Sequence, residues 1–152
     1  MENLSRFLRK SQSVAINTKG EDGHPFSSYA SFYYDGEVVY VSVPSIVTHV
    51  ENLQANPKAS LLFVEDKSSN RSTHERHRTT LECKVSIVDS ASSKYKEIMP
   101  NFEDGAFGIL MGTSELVLYA LTPTSGEITF GFGDEIYALS GEKMNEVNLW
   151  KR

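Results

Sequence analysis

From Arg76 to Ile87 the chain alternates. His77, Thr79, Leu81, Cys83, Val85 and Ile87 fall on one side of an expected strand, and Arg76, Arg78, Thr80, Glu82, Lys84 and Ser86 fall on the other. The first side is mostly apolar and suits a core. Shorter runs of the same kind flank it. Ser13 to Thr18 ends at the turn cluster Lys19-Gly20-Glu21-Asp22-Gly23. Phe26 to Tyr34 and Glu37 to Val43 are joined by Asp35-Gly36, so the two hairpins read as a meander. Ala59 to Val64, Glu115 to Leu121, and Ile128 to Phe132 with Ile136 to Leu139 complete the strands. Pro123-Thr124-Ser125-Gly126 and Gly133-Asp134 are expected turns, and Glu65 to Thr73 a polar loop.

The period changes in three places. Leu4, Phe7 and Leu8 share a face of a short helix within Glu2 to Ser11. Ile46, Val50 and Leu53 are spaced for one helical face, with Ser45 as N-cap and Asn56-Pro57 as the stop. Tyr95, Ile98, Met99 and Phe102 suggest a helix over Ser90 to Phe102 that Pro100 breaks or kinks. Strands joined mostly by tight turns exclude a doubly wound parallel sheet. They predict a mainly β protein, an antiparallel barrel that is closed or nearly so, because closure removes exposed edges.

The 152 residues suit one domain, with a core over about residues 5–142 and a short C-terminal tail. The net charge is -5. Arg71 to Arg78 carries +2, which leaves -7 elsewhere, so an acidic body carries one basic patch. That argues against nucleic-acid binding and fits one local anion site. The lone Cys83 allows no intrachain disulfide and is expected in the core, in keeping with a cytoplasmic protein. No apolar run approaches the roughly 20 residues that span a bilayer, and no signal peptide is visible.

Two elements suit an anion. Arg76 and Arg78 would lie about 7 Å apart on one strand face, where paired guanidinium forks grip a phosphate or carboxylate; a solvated face is the alternative. The helix start beside Thr48, His49 and Asn52 offers free N–H groups, a hydroxyl, an imidazole and an amide; a plain polar face is the alternative. Tyr29, Phe32, Tyr33, Tyr34 and Tyr40 either stack on a flat ring or serve as core. The spacing of the four histidines supports no metal site. No Gly-x-Ser-x-Gly elbow backs a hydrolytic triad, and Gly131-Phe132-Gly133 is not a dinucleotide loop. No catalytic residue is assigned.

Five stretches together resemble a known family. They are Asp22-Gly23-His24-Pro25-Phe26-Ser27-Ser28-Tyr29-Ala30, the run from Thr48-His49-Val50-Glu51-Asn52 to Val64-Glu65-Asp66, Arg76-His77-Arg78, Leu118-Tyr119-Ala120-Leu121-Thr122-Pro123, and Gly131-Phe132-Gly133. Their order is similar to the pyridoxamine 5'-phosphate oxidase-like FMN-binding split barrels, and within them to the haem-utilisation subfamily. The resemblance implies a homodimer of six-stranded split barrels with cofactor sites at the subunit interface. It implies FMN as cofactor and a flavin-dependent oxidoreductase acting on a small molecule. By motif position it assigns cofactor binding to Ser28, Tyr29, Tyr40, Val41, Ser42, His49, Asn52, Arg76 and Arg78, and Thr48 at the helix start is expected to join them. Haem binding, with haem breakdown or iron release, is the alternative, and a non-catalytic dimeric ligand-binding barrel is a third. The chain departs from the pattern at Thr48, where Arg is common. It also has no histidine beyond His77, whereas haem-degrading members use a C-terminal one on iron.

Overall fold

The run expected as one strand over Phe26 to Tyr34 is two. β2 (Pro25–Ala30) pairs antiparallel with β1 (Val14–Lys19), whereas β3 (Phe32–Tyr34) pairs with β4 (Val39–Pro44). The structure, a computed structural model, describes residues 4, 8, 11, 13–65, 76–102, 115–130, 135–141, 144 and 146–151. With β5 (Lys58–Val64), β6 (Arg78–Val88) and β7 (Leu116–Phe130), the sheet order is β2-β1-β5-β6-β7-β4-β3. β2 and β3 thus lie at opposite edges, yet only Ser31 stands between them. A sheet whose edges are joined by one residue must curl onto itself. Counting β2 and β3 as one interrupted strand leaves six around the curl, which makes a split barrel.

The curl encloses the apolar faces. Ile16, Leu61, Phe63, Leu81, Leu121, Ile128 and Leu139 are fully buried. Burying a side chain the size of Phe63 contributes roughly 2–3 kcal/mol. The alternation in β6 holds from Thr79 through Val85, but Ile87 is exposed at the strand's far end. Cys83 is buried, and burial, with Glu82 adding to it, pushes its thiol up to about 12. The thiol is therefore expected to resist a disulfide reagent at pH 8 in the native state and to react at the rate of global unfolding, as timed stopped-flow labelling would show.

Three expectations are corrected. Pro123 to Gly126 is not a turn, because β7 runs through it for 15 residues. Cys83 pairs with Pro123 and Glu82 with Ser125, so Thr124 is an extra residue in a bulge. A bulge accommodates proline, which has no N–H to give the ladder. β6 begins at Arg78, so Arg76 precedes the strand. The C-terminal segment is not a tail: β8 (Glu135–Ser140) pairs with β7, and β9 (Glu146–Lys151) adds to β8.

Two helices flank the sheet. α1 (Thr48–Ala55) starts two residues later than a Ser45 cap would set it; Val47 is the N-cap and gives no side-chain bond, while Ser45 N–H donates to the Glu115 carbonyl at 2.8 Å. α2 (Ser93–Ile98) is capped by Ser92, whose hydroxyl accepts from Tyr95 N–H at 3.2 Å. Pro100 turns the chain into a 3-10 segment over Met99–Asn101. Ile98 packs with Tyr40 and Leu118 in a second small cluster. Leu4 and Leu8 are helical and buried, as expected, while Phe7 lies outside the described residues, as do 66–73 of the expected polar loop and the expected turn at Gly133-Asp134.

Candidate functional site

The buried face of α1 is polar. His49, Asn52 and Leu53 turn inward, and Ile46, expected on the apolar face, precedes the helix and is 84% exposed. The reason lies in β1. Its inward positions run Val14, Ile16, Thr18, so a hydroxyl stands where the helix docks. His49 Nδ1 lies 2.6 Å from Thr18 Oγ1, and Asn52 Nδ2 donates to the same oxygen at 3.0 Å. The other ring nitrogen, Nε2, lies 2.8 Å from Ser28 Oγ on β2. Phe26 meets the imidazole edge-on at 4.9 Å. One helix turn is thereby tied to two strands.

Burial holds the His49 imidazole below its ordinary value, so it is neutral at pH 7. The unfolded chain, with a histidine near pH 6.5, binds the proton more readily than the folded one. The contribution of His49 to stability is then complete above about pH 6.5 and is lost as the pH falls from there toward the folded value. The melting temperature should fall on acidification from pH 7 to 5, and His49→Gln should make that fall shallower.

His49 and Ser28 open onto a groove of about 660 Å³, which Ser42, Tyr29, Ile46 and Thr48 also line. Ser42 is 7% exposed, and its hydroxyl has no partner among the described residues. Tyr29 is 80% exposed on the rim. Among the described lining residues none is Lys, Arg, Asp or Glu. Ser28, Tyr29, Ser42, Thr48 and His49 of the predicted set therefore meet here, with Asn52 behind them. Tyr40 and Val41 do not line the groove. Val41 is fully buried in the core; Tyr40 packs in the second cluster, donates to Asp35 at 3.4 Å, and has its hydroxyl pushed up by burial and by Asp35.

Arg76 and Arg78 stand elsewhere. Arg78 pairs with Val64, whereas Asn17, next to Thr18, pairs with Ser60. Four residues along β5 separate the two levels by about 13 Å. Thr79 faces the core, so Arg78 takes the outer face, opposite Thr18. Arg76 Nη1 donates to the Glu65 carbonyl at 3.3 Å, and Arg78 Nη1 to the Arg76 carbonyl at 3.1 Å. Beside them His77 pairs with Glu65 at 3.1 Å and packs on Phe130. Within one chain the arginines and the helix start do not make one site.

The family model described as pyridoxamine 5'-phosphate oxidase matches residues 1–119. The chain belongs to the pyridoxamine 5'-phosphate oxidase family. Among curated members it is 27% identical over 144 residues to the haem oxygenase HutZ of Vibrio cholerae, covering 93% of this chain and 81% of that one. Its fold matches ChuZ of Campylobacter jejuni with a TM-score of 0.80 at 24% identity, covering 99% of this chain but only 65% of ChuZ. It also matches a pyridoxamine 5'-phosphate oxidase-related, FMN-binding protein of Nostoc punctiforme, with a TM-score of 0.61 at 10% identity, over 91% of this chain and 85% of that one. The curled antiparallel sheet is thus a split barrel, the fold of its structural neighbours. Thr18 is the site residue that sequence reasoning missed. Its signal was a hydroxyl in the inward register of an otherwise apolar strand.

Proposed function

We propose that the protein is a homodimeric FMN-binding oxidoreductase of the cytoplasm, with a small-molecule substrate and cofactor sites between its two copies. The observation that carries this is the groove at the start of α1, where a buried hydroxyl without a partner among the described residues, Ser42, shares a wall with Ser28 and His49. Its volume of about 660 Å³ lies in the range of small-molecule sites. Its rim carries Tyr29 and Ile46, 80% and 84% exposed, and such apolar surface suits cover by a second copy. A groove with no lysine or arginine among its described lining residues fits the ring of a flavin better than its phosphate. The Arg76 and Arg78 face of the other copy would supply the charge that the phosphate needs.

When bound, FMN supplies the redox chemistry. The chain binds and orients: Ser28 and Ser42 offer hydroxyls, Thr48 stands at the positive end of α1, and the aromatic rim excludes water. A visible spectrum of freshly purified protein should show flavin. FMN at 100 times its Kd should add roughly 2.7 kcal/mol of stability, read as a higher melting temperature. Colourless protein whose melting temperature FMN leaves unchanged would overturn the reading.

A second reading, haem binding, has one specific support, the likeness to HutZ over 93% of this chain. Both ring nitrogens of His49 are engaged and His77 is paired with Glu65, which leaves the exposed His24 as the iron ligand best placed among the described histidines. A haem titration should then give a Soret shift that His24→Ala abolishes; the same shift in the variant would count against that ligand.

A further inference from the structure

The groups around His49 settle which of its nitrogens carries the proton. Thr18 Oγ1 accepts from Asn52 Nδ2 at 3.0 Å and has one hydrogen of its own to place. Thr18 is 4% exposed, so that hydrogen needs a buried acceptor. The atom at 2.6 Å is His49 Nδ1. Nδ1 therefore accepts, and in the neutral ring Nε2 carries the N–H. Nε2–H then donates to Ser28 Oγ at 2.8 Å, and the hydrogen of Ser28 is left to point away from the imidazole, toward the groove that Ser28 lines. The direction of donation runs from Asn52 through Thr18 and His49 to Ser28. It also leaves Ser28 without a base, because Nε2 already holds its proton; the serine and histidine are not a hydrolytic pair.

Ser28 and Ser42 both line the groove, the buried Ser42 hydroxyl has no partner among the described residues, and no cation stands among the described residues that line it. A dianionic phosphate would meet hydroxyls only, whereas a ring carbonyl is satisfied by two neutral donors. We infer that Ser28 and Ser42 form a donor site for a carbonyl oxygen on the flat ring of the ligand, with Asn52, Thr18 and His49 as positioning residues that set the direction of donation. The assignment of the ring rests on the flavin reading above; the direction of the chain of hydrogen bonds does not.

Two measurements on the full chain separate these parts. Nitrogen-15 spectra of histidine-labelled protein without ligand should show His49 with a pyridine-like Nδ1 and a pyrrole-like Nε2. Thr18→Val, which keeps the shape and removes the hydroxyl, should lose that pattern, and Thr18→Ser should keep it. Titrations of flavin fluorescence with FMN and with riboflavin should then give the same loss for both ligands, about five- to tenfold, in Thr18→Val, Ser28→Ala and Ser42→Ala, while Thr18→Ser binds as the wild type does. A proton on Nδ1 in the wild type would overturn the inference, and so would a loss confined to FMN, which would put the phosphate in the groove. If the wild type binds neither flavin, the flavin reading and the carbonyl assignment fall together, and the nitrogen spectra still decide the direction.

Discussion

Gly126→Ala destabilises the protein by about 3 kcal/mol, the upper end of what overpacking a core costs. Gly126 sits mid-way along β7, opposite Leu81 of β6 on one side and Leu139 of β8 on the other. Paired residues share a face, so a side chain at 126 would point where these two leucines already meet. A Cβ there would stand 2.7 Å from Leu81 Cδ2 and 2.8 Å from the Thr80 carbonyl oxygen. Leu81 is fully buried and has no room to retreat, and the carbonyl belongs to the ladder. Chemical denaturation should show a lower midpoint at an unchanged slope. Leu81→Ala, costly by itself, should cost less in the Gly126→Ala background, because it removes the clash; strict additivity of the two would show that they do not meet. Gly36 is the contrast. It has φ +105 and nothing within 4 Å of an added Cβ, so replacing it strains the backbone alone.

The same glycine shows why the turn at 123–126 was misread. Proline, threonine, serine and glycine in succession signal a reversal, but a bulge and a close strand approach select the same residues. Local chemistry does not distinguish them; the partner strand does. β1, β5 and most of β6 were legible because each buries one face, and alternation survives wherever that holds. The break at Ser31 carried no signal, since a serine between Ala30 and Phe32 suits a continuous strand; only the curl of the sheet demands it.

The site was legible in its residues but not in its assembly. His49 and Asn52 stood out as polar groups three apart on a helix, beside the apolar spacing of Ile46, Val50 and Leu53. Leu53 is buried in the core and Val50 packs against it as that spacing expects, but Ile46 lies before the helix begins and is exposed. The polar face turns inward because Thr18 offers it a partner 31 residues away in sequence from His49. The arginine spacing was read as one strand face, whereas Arg76 lies before β6 and spends a guanidinium bond on the Glu65 carbonyl.

Arg78→Ala should weaken FMN by about 100-fold and leave riboflavin nearly unchanged, because a lost pair of charge-assisted bonds to phosphate costs roughly 2–3 kcal/mol. Arg78→Lys should fall between, since a point charge replaces a fork. The stronger test asks whose arginine is used. Within one chain Arg78 lies on the outer face and at the far level of the sheet from Thr18, so on the proposed reading the arginine and the groove of a single site come from two copies. Mixing Arg78→Ala chains with Ser42→Ala chains then builds mixed dimers in which one site carries both defects and the other carries neither. With random pairing, about a quarter of all sites regain wild-type affinity. A site contained in one chain would regain none, because every chain in the mixture carries a defect of its own. Flavin fluorescence titrated against the mixture reads the difference as a tight phase of about one-quarter amplitude, or as its absence.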